Sequence, residues 1–423
     1  MAALKLKVKK SKLTGEILVP GSKSHSIRAF SLASIAEGKS YLHNVLLSAD
    51  TISCIDAVKK MGAKVEVNNN NLSIEGVGGK FKSTASINVG NSGTTLRILT
   101  ALAALSEQEF HFDGDSSIRK RPMTSLFNAL QLLGARIVSN NEKCPFSVQG
   151  PIHGGETVVN GISSQFLTAV LLAAPLIKED TIIKVENLHE KPYVEITLSW
   201  LDKLNIKYEN RGLDWFKIKG GQMYKGFEAD IPADFSSACF PLSAAAVTKS
   251  EILIKGLDFN DFQGDKIIFE YLEKMGMIIN KSNDGVLVKG GDITGIDIDM
   301  NATPDALPAM AVIACSASGT TRLLNVKQAR LKECDRISAI FNELSKMGAR
   351  IEELEDGLII HESTLKGTEV HGYDDHRMVM ALSVAAMQSE GETIIDTAES
   401  INVTYPSFIK DFIKLGADFE KIN

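Results

Sequence analysis

The sequence predicts an α/β protein of two similar domains, each built from three repeated units, and three observations carry that prediction. Six times a helix-like segment runs into a short corner and then into a strand-like segment. The corners are Met61-Gly62-Ala63, Leu133-Gly134-Ala135, Leu204-Asn205-Ile206, Met275-Gly276-Met277, Met347-Gly348-Ala349 and Leu415-Gly416-Ala417. From each corner Gly (or Asn205) to the next the interval is 72, 71, 71, 72 and 68 residues, and a fixed period marks a repeated architecture. One phase earlier in every unit lies a second helix-like segment that is apolar almost all the way round. The chain's 423 residues also exceed one ordinary core, so six units divide most simply into three and three.

Taken in order, each unit reads as strand, buried helix, strand, amphipathic helix, strand, strand. The buried helices are expected at 26–36, 94–105, 165–177, 237–247, 306–317 and 377–387, where Ala, Leu, Ser, Val and Met recur with little charge. A helix apolar on every face belongs in a core. The segments before the corners, such as 126–133 and 337–347, instead mix polar and apolar residues at helical spacing. Pro122, Pro192 and Pro406 are expected to open three of these second helices, since proline suits a first turn. Strands follow the corners at 64–67, 136–138, 206–209, 277–279 and 350–352, and Asn68-Asn69-Asn70-Asn71 reads as a hairpin tip. The chain is expected to cross between domains near 16–21 and 229–234. That places one domain at 21–233 and the other at 1–20 with 234–423.

Composition narrows the possible partners. A hydrophobic fraction of 44% and a charged fraction of 23% describe a globular protein, and a net charge of -6 argues against general nucleic-acid binding. The five cysteines are scattered without a CxxC pair, and the alternating start Leu4-Lys5-Leu6-Lys7-Val8 lacks a signal peptide's apolar core. No apolar run reaches the roughly 18 residues of a membrane span. The expectation is a cytoplasmic protein without disulfides, zinc or membrane contact.

Chemistry concentrates at the mouths of the buried helices. The preceding segments are Pro20-Gly21-Ser22-Lys23-Ser24, Gly90-Asn91-Ser92-Gly93-Thr94, Gly161-Ile162-Ser163-Ser164-Gln165, Pro232-Ala233-Asp234-Phe235-Ser236, Thr303-Pro304-Asp305 and Gly372-Tyr373-Asp374-Asp375-His376. Taken singly, each is explained by helix capping. Together they place amide groups and positive dipole ends beside Lys23, Arg28, Arg97 and Arg377, and such mouths bind anions. An arginine in an apolar helix is costly unless paired, so these cations are expected to face a polar cleft. Two further basic knots stand at Arg119-Lys120-Arg121 and at residues 330–336. An enzyme for small polyanions follows. The run Gly76-Val77-Gly78-Gly79-Lys80 lacks phosphate-loop spacing, no GxSxG elbow occurs, and the eight histidines form no metal-binding pattern. No cofactor and no metal are expected.

The motifs Pro20-Gly21-Ser22-Lys23-Ser24-His25-Ser26-Ile27-Arg28, Gly90-Asn91-Ser92-Gly93-Thr94-Thr95-Leu96-Arg97, Arg121-Pro122-Met123, Ser163-Ser164-Gln165-Phe166, Pro304-Asp305-Ala306, Lys332-Glu333-Cys334-Asp335-Arg336 and Asp374-Asp375-His376-Arg377-Met378 span the chain in order. In this respect it resembles the 5-enolpyruvylshikimate-3-phosphate synthase (3-phosphoshikimate 1-carboxyvinyltransferase) family. The resemblance implies two domains, each of three βαβαββ units, closing over a cleft between them. It implies transfer of the carboxyvinyl group of phosphoenolpyruvate to the 5-hydroxyl of shikimate 3-phosphate by a monomer, with loss of phosphate. Carried over by position, Asp305 is the base for the hydroxyl, Glu333 exchanges a proton at the methylene carbon, and Lys23 lies between the substrates. Phosphoenolpyruvate falls to Lys23, Asn91, Gly93, Arg121, Gln165, Arg336 and Arg377. Shikimate 3-phosphate falls to Lys23, Ser24, Arg28, Ser163, Ser164, Gln165, Asp305, Gln328 and Lys332. His376 is assigned to orienting Glu333 or to capping its helix.

Two positions depart from some relatives. Glu190 stands where they have Ser, at a contact to the shikimate phosphate, and Val403 stands where they have Lys, beside phosphoenolpyruvate. A sister transferase family acting on UDP-N-acetylglucosamine usually carries a reactive Cys before the Arg-Pro pair, and here 113–118 contains none. A non-catalytic module binding an anionic metabolite would not need Asp305, Lys332 and Glu333.

Overall fold

The structure, a computed structural model, describes residues 4–81 and 84–422. It divides into a continuous unit, Gly21–Pro232, and a split unit joining Met1–Pro20 to Ala233–Asn423. The continuous unit holds helices α1 (Lys23–Ile35), α2 (Ala49–Lys60), α3 (Gly93–Ala103), α4 (Thr124–Leu132), α5 (Ser164–Ala173) and α6 (Lys191–Lys203). The split unit holds α7 (Phe235–Val247), α8 (Ile267–Met275), α9 (Leu307–Ser316), α10 (Arg336–Lys346), α11 (His376–Gln388) and α12 (Phe408–Leu415).

The odd-numbered helices are the apolar ones, and they form the cores. Phe30, Leu99 and Leu171 are buried in the continuous unit, as are Phe240, Val312 and Leu382 in the split unit. The even-numbered helices bury one face only, as their mixed sequences require.

Among the described residues the strands form six four-stranded sheets of one plan. In the first, Lys39–His43 pairs antiparallel with Asn71–Glu75, which pairs antiparallel with Lys64–Asn68. A later strand, Glu228–Asp230, lies parallel against the other edge of Lys39–His43. The N-terminal segment completes two sheets of the split unit. Thr14–Leu18 runs parallel to Glu251–Lys255, and Lys5–Lys9 inserts between Glu392–Ile395 and Asp418–Ile422. Residues 4–20 therefore belong structurally with residues 233–422, through long-range pairing that no local propensity encodes.

The corners end the even-numbered helices by one mechanism. Gly62, Gly134, Asn205, Gly276, Gly348 and Gly416 all have positive φ, from 59 to 111°. At each, the following N–H reaches back to a carbonyl of the last turn: Ala63 to Val58, Ala135 to Leu130, Ile206 to Leu201, Met277 to Leu272, Ala349 to Leu344 and Ala417 to Phe412. Those bonds, of 2.9–3.1 Å, satisfy carbonyls that a helix end leaves orphaned. Only Gly, and Asn at modest cost, enters the left-handed region readily, which is why the period is written in those residues.

One expectation needs correction. Pro192 lies in the first turn of α6, but Pro122 and Pro406 precede α4 and α12, whose caps are Met123 and Ser407. Before Pro122, Arg121 is extended at ψ 134°, the conformation favoured ahead of proline. Met123 itself is not helical, at φ -122° and ψ -1°, and its amide donates to the Glu142 carbonyl, so α4 begins at Thr124.

Gly348→Ala tests the corner mechanism. A Cβ there would meet nothing nearer than the Thr364 carbonyl oxygen at 3.8 Å, so the cost is backbone strain alone. The urea midpoint is expected to fall by the equivalent of about 1–2 kcal/mol; an unchanged midpoint contradicts the mechanism.

Candidate active site

In the split unit, the start of α10 and the mouths of α9 and α11 bring three carboxylates around one guanidinium. Arg336 is 1% exposed. Its Nε donates to Asp375 Oδ2 at 2.8 Å and its Nη2 to Asp375 Oδ1 at 3.2 Å. Nη1 donates to Asp305 Oδ1 at 2.8 Å and Nη2 to Glu333 Oε2 at 2.6 Å. Lys332 Nζ stands 3.8 Å from Asp305 Oδ1, and Arg377 Nη2 lies 3.4 Å from Asp305 Oδ2. Asp375 also caps α11, accepting the Arg377 amide at 2.8 Å. Three cations thus face three carboxylates, the balance that makes buried charge tolerable. Arg377 Nε and Nη1 are buried without a hydrogen-bond partner.

This arrangement sets the ionisation of the group. Burial alone would push the Asp305 carboxyl up, but Lys332, Arg336 and Arg377 outweigh it and hold it well below the usual carboxylate range. Burial pulls Arg336 and Arg377 down, and the surrounding carboxylates more than reverse this. Asp265 behaves oppositely. It is buried with an oxygen hydrogen-bonded by Ser236 Oγ, and burial together with the charge of Asp305 pushes it up to about 7.

In the continuous unit, the mouth of α3 gathers a second set. Arg121 Nη2 donates to Asn91 Oδ1 at 3.0 Å and to Ser117 Oγ at 3.1 Å. Arg97, one turn inside α3, donates to Gln165 Oε1 and lies 5.0 Å from the Phe166 ring centroid. Both guanidiniums come close to Gly93: a Cβ there would stand 2.8 Å from Arg121 Nη1 and 3.3 Å from Arg97 Nη1. Lys23, in the first turn of α1, pairs with Asp50 at 3.2 Å. Arg28, buried to the same degree as Arg336, donates to Thr197, Thr168 and the Ser24 and Tyr193 carbonyls. With no carboxylate among those partners, burial pulls its guanidinium down to about 10.

Asp305, Lys332, Glu333, Arg336 and Arg377 therefore share one cluster, and Asn91, Gly93, Arg121 and Gln165 share another. Gln328 stands apart, its amide donating to the Asn301 carbonyl at 2.9 Å. Ser164 is bound to Glu190, while Ser163, the N-cap of α5, makes no capping bond with its side chain. His376 is buried in the first turn of α11, and its Nδ1 lies 3.8 Å from Asp375 Oδ1. Capping, expected at all six mouths, is made by the side chains of Ser92, Asp234 and Asp375 but not by those of Ser22, Ser163 and Thr303. Asp50 and Asp265 carry no signal in the sequence, and Asp375 is marked there only within a capping segment and the 374–378 motif. The acidic first turn of α2 looks like an ordinary surface acid favouring the helix dipole, and Asp375 looks like a simple cap. Among the described residues there is no group of three or more His, Cys, Asp or Glu placed to hold a metal, and no helix long and apolar enough to cross a membrane.

The profile described as EPSP synthase (3-phosphoshikimate 1-carboxyvinyltransferase) matches residues 8–412. A 3-phosphoshikimate 1-carboxyvinyltransferase of Acetivibrio thermocellus is 49% identical over 416 residues, 98% of each chain. Another, of Ruminiclostridium cellulolyticum, is 47% identical over 420 residues, 99% of this chain and 100% of the relative. An EPSP synthase structure from Acinetobacter baumannii superposes with a TM-score of 0.84 at 26% identity, covering 99% of this chain and 100% of the other.

Stability is expected to depend on pH through the buried carboxyls, with opposite signs. Asp305, depressed in the fold, adds stability above its unfolded value of about 4 that is lost as pH falls through its folded value. Asp265, raised in the fold, adds stability at low pH that is lost as pH rises from about 4 through about 7. Asp265→Asn should flatten the decline in denaturant midpoint between those two pH values. A decline as steep as the parent's would remove Asp265 as its source.

Proposed function

We propose a division of labour among the site residues of this chain, which belongs to the EPSP synthase family. The chain is an enzyme of the shikimate pathway to chorismate and the aromatic amino acids. It transfers the carboxyvinyl group of phosphoenolpyruvate to the 5-hydroxyl of shikimate 3-phosphate and releases phosphate. The oxygen of the 5-hydroxyl adds to C2 of phosphoenolpyruvate while a proton joins C3. The resulting tetrahedral adduct then expels phosphate and loses a proton from C3. Such a sequence needs a base, a proton donor that becomes an acceptor, and fixed positive charge around phosphate and carboxylate groups.

Asp305 is the base. The observation that carries this reading is its contact with three cations, which keeps the carboxylate ionised and ready to take the hydroxyl proton. Its depressed basicity is a consequence of those same cations. As the phosphate and carboxylate of phosphoenolpyruvate engage Arg336 and Arg377, less positive charge acts on Asp305 and its proton affinity rises. Arg377 brings two buried nitrogens, Nε and Nη1, without protein hydrogen-bond partners to that task. Glu333, hydrogen-bonded to Arg336 at 2.6 Å, gives and retakes the proton at C3. Arg121 with Asn91, Gly93 and Gln165 binds phosphoenolpyruvate, and Lys23 touches both substrates. Ser24, Arg28, Ser163, Ser164, Gln165, Gln328 and Lys332 hold shikimate 3-phosphate. The enzyme is further read as a cytoplasmic monomer.

Purified protein, sedimenting as a 45.9 kDa species, is expected to release inorganic phosphate only when both substrates are present, with no metal added. Phosphate release independent of shikimate 3-phosphate, or none at all, contradicts the assignment. Asp305→Ala is expected to keep the fold yet lose most turnover; unchanged turnover would remove Asp305 as the base.

A further inference from the structure

The mouth of α5 is already occupied by an anion, and that anion belongs to the chain itself. Glu190 is 2% exposed. Its Oε2 accepts the Ser164 hydroxyl at 2.8 Å and the Ser164 amide at 3.4 Å. The helix's own N-cap residue, Ser163, supplies no capping bond. The carboxylate of Glu190 thus engages a hydroxyl and an amide of the kind that a phosphoryl group would use at a helix N-terminus.

This placement is built rather than incidental. Glu190 adopts the left-handed conformation, φ 55° and ψ 42°, which is uncommon for a non-glycine residue. The loop leading to it is tied to the mouth of α5 by the Gly161 amide, which donates to the Glu186 carbonyl at 2.7 Å, and by the His189 amide, which donates to the Gly161 carbonyl at 3.0 Å. Gly161 permits that approach, since a Cβ there would lie 2.9 Å from Leu188 Cα. After Glu190 the chain turns directly into α6, and the Tyr193 amide bonds the Glu190 carbonyl. Backbone on both sides therefore fixes where the carboxylate sits.

We propose that Glu190 is a specificity-determining residue: its carboxylate competes, as a resident anion, with the phosphoryl group of shikimate 3-phosphate for Ser164 and the mouth of α5. The inference rests on the reading that Ser163 and Ser164 hold that substrate. Binding of the phosphoryl group requires Glu190 to give up Ser164, and any carboxylate left nearby repels the incoming charge. Affinity for shikimate 3-phosphate is consequently set below what the same mouth would reach with a neutral residue at 190.

The test is steady-state kinetics with each substrate varied in turn on the parent, E190Q and E190D. Neutral E190Q keeps the side-chain size and is expected to lower KM for shikimate 3-phosphate by roughly three- to tenfold, the scale of one like-charge contact in a partly screened site. KM for phosphoenolpyruvate is expected to move much less, which separates a local charge effect from a general loss of structure. Charge-keeping E190D should not lower KM for shikimate 3-phosphate. An unchanged or higher value in folded E190Q, or an equal fall in E190D, overturns the inference while leaving the reaction intact. Failure of the parent to turn over shikimate 3-phosphate would instead overturn the reading beneath it. Should E190Q melt well below the parent, direct titration of the parent and E190D with shikimate 3-phosphate across ionic strength replaces it. Competition predicts that affinity is equal or weaker in E190D, and tighter binding there overturns it.

Discussion

A guanidinium buried to 1% exposure is the constraint on which the split unit's chemistry rests. Arg336 cannot sit there alone, because an unpaired buried charge costs several kcal/mol, and its removal from water is offset only by well-made contacts. Asp375 supplies a two-point grip, and Asp305 and Glu333 take the remaining donors. The same contacts that make Arg336 tolerable aim the two acidic groups to which the proposed mechanism gives the proton transfers. On that proposal, stability and catalysis draw on one set of bonds.

The repeated architecture explains how such a cluster is assembled from distant sequence. Six left-handed corners end the even-numbered helices in the same way, so each unit returns its chain to the next apolar helix at an equivalent phase. Each odd-numbered helix is committed to a core and leaves only its mouth for polar work. The two units spend those mouths differently. Around α9, α10 and α11 carboxylates and cations balance, whereas around α1, α3 and α5 arginines are held by Asn91, Gln165, threonine hydroxyls and backbone carbonyls.

The fold was legible because its punctuation is local. A helix that must stop in a left-handed residue selects Gly or Asn, and six such stops at nearly constant spacing declare the repeat. The apolar helices were equally legible, since continuous burial leaves little room for charge. Pairings were not. Lys23 meets Asp50 across 27 residues and Arg336 meets Asp375 across 39, and each acid has a sufficient local reason to stand where it does. Glu190 shows the same limit. The sequence marks it as a departure from a serine, but only the geometry shows that it fills the mouth of α5. Pro122 and Pro406 show the limit at helix starts, because the residue after each, Met123 or Ser407, has a non-helical backbone that its sequence does not announce.

In the proposed mechanism, Asp305 holds the cations of its cluster until phosphoenolpyruvate takes them over. Calorimetric titration of Asp305→Asn with phosphoenolpyruvate, in the presence of saturating shikimate 3-phosphate, probes this exchange. With one competing negative charge removed, phosphoenolpyruvate is expected to bind more tightly while turnover is lost. Weaker binding with turnover retained would contradict it.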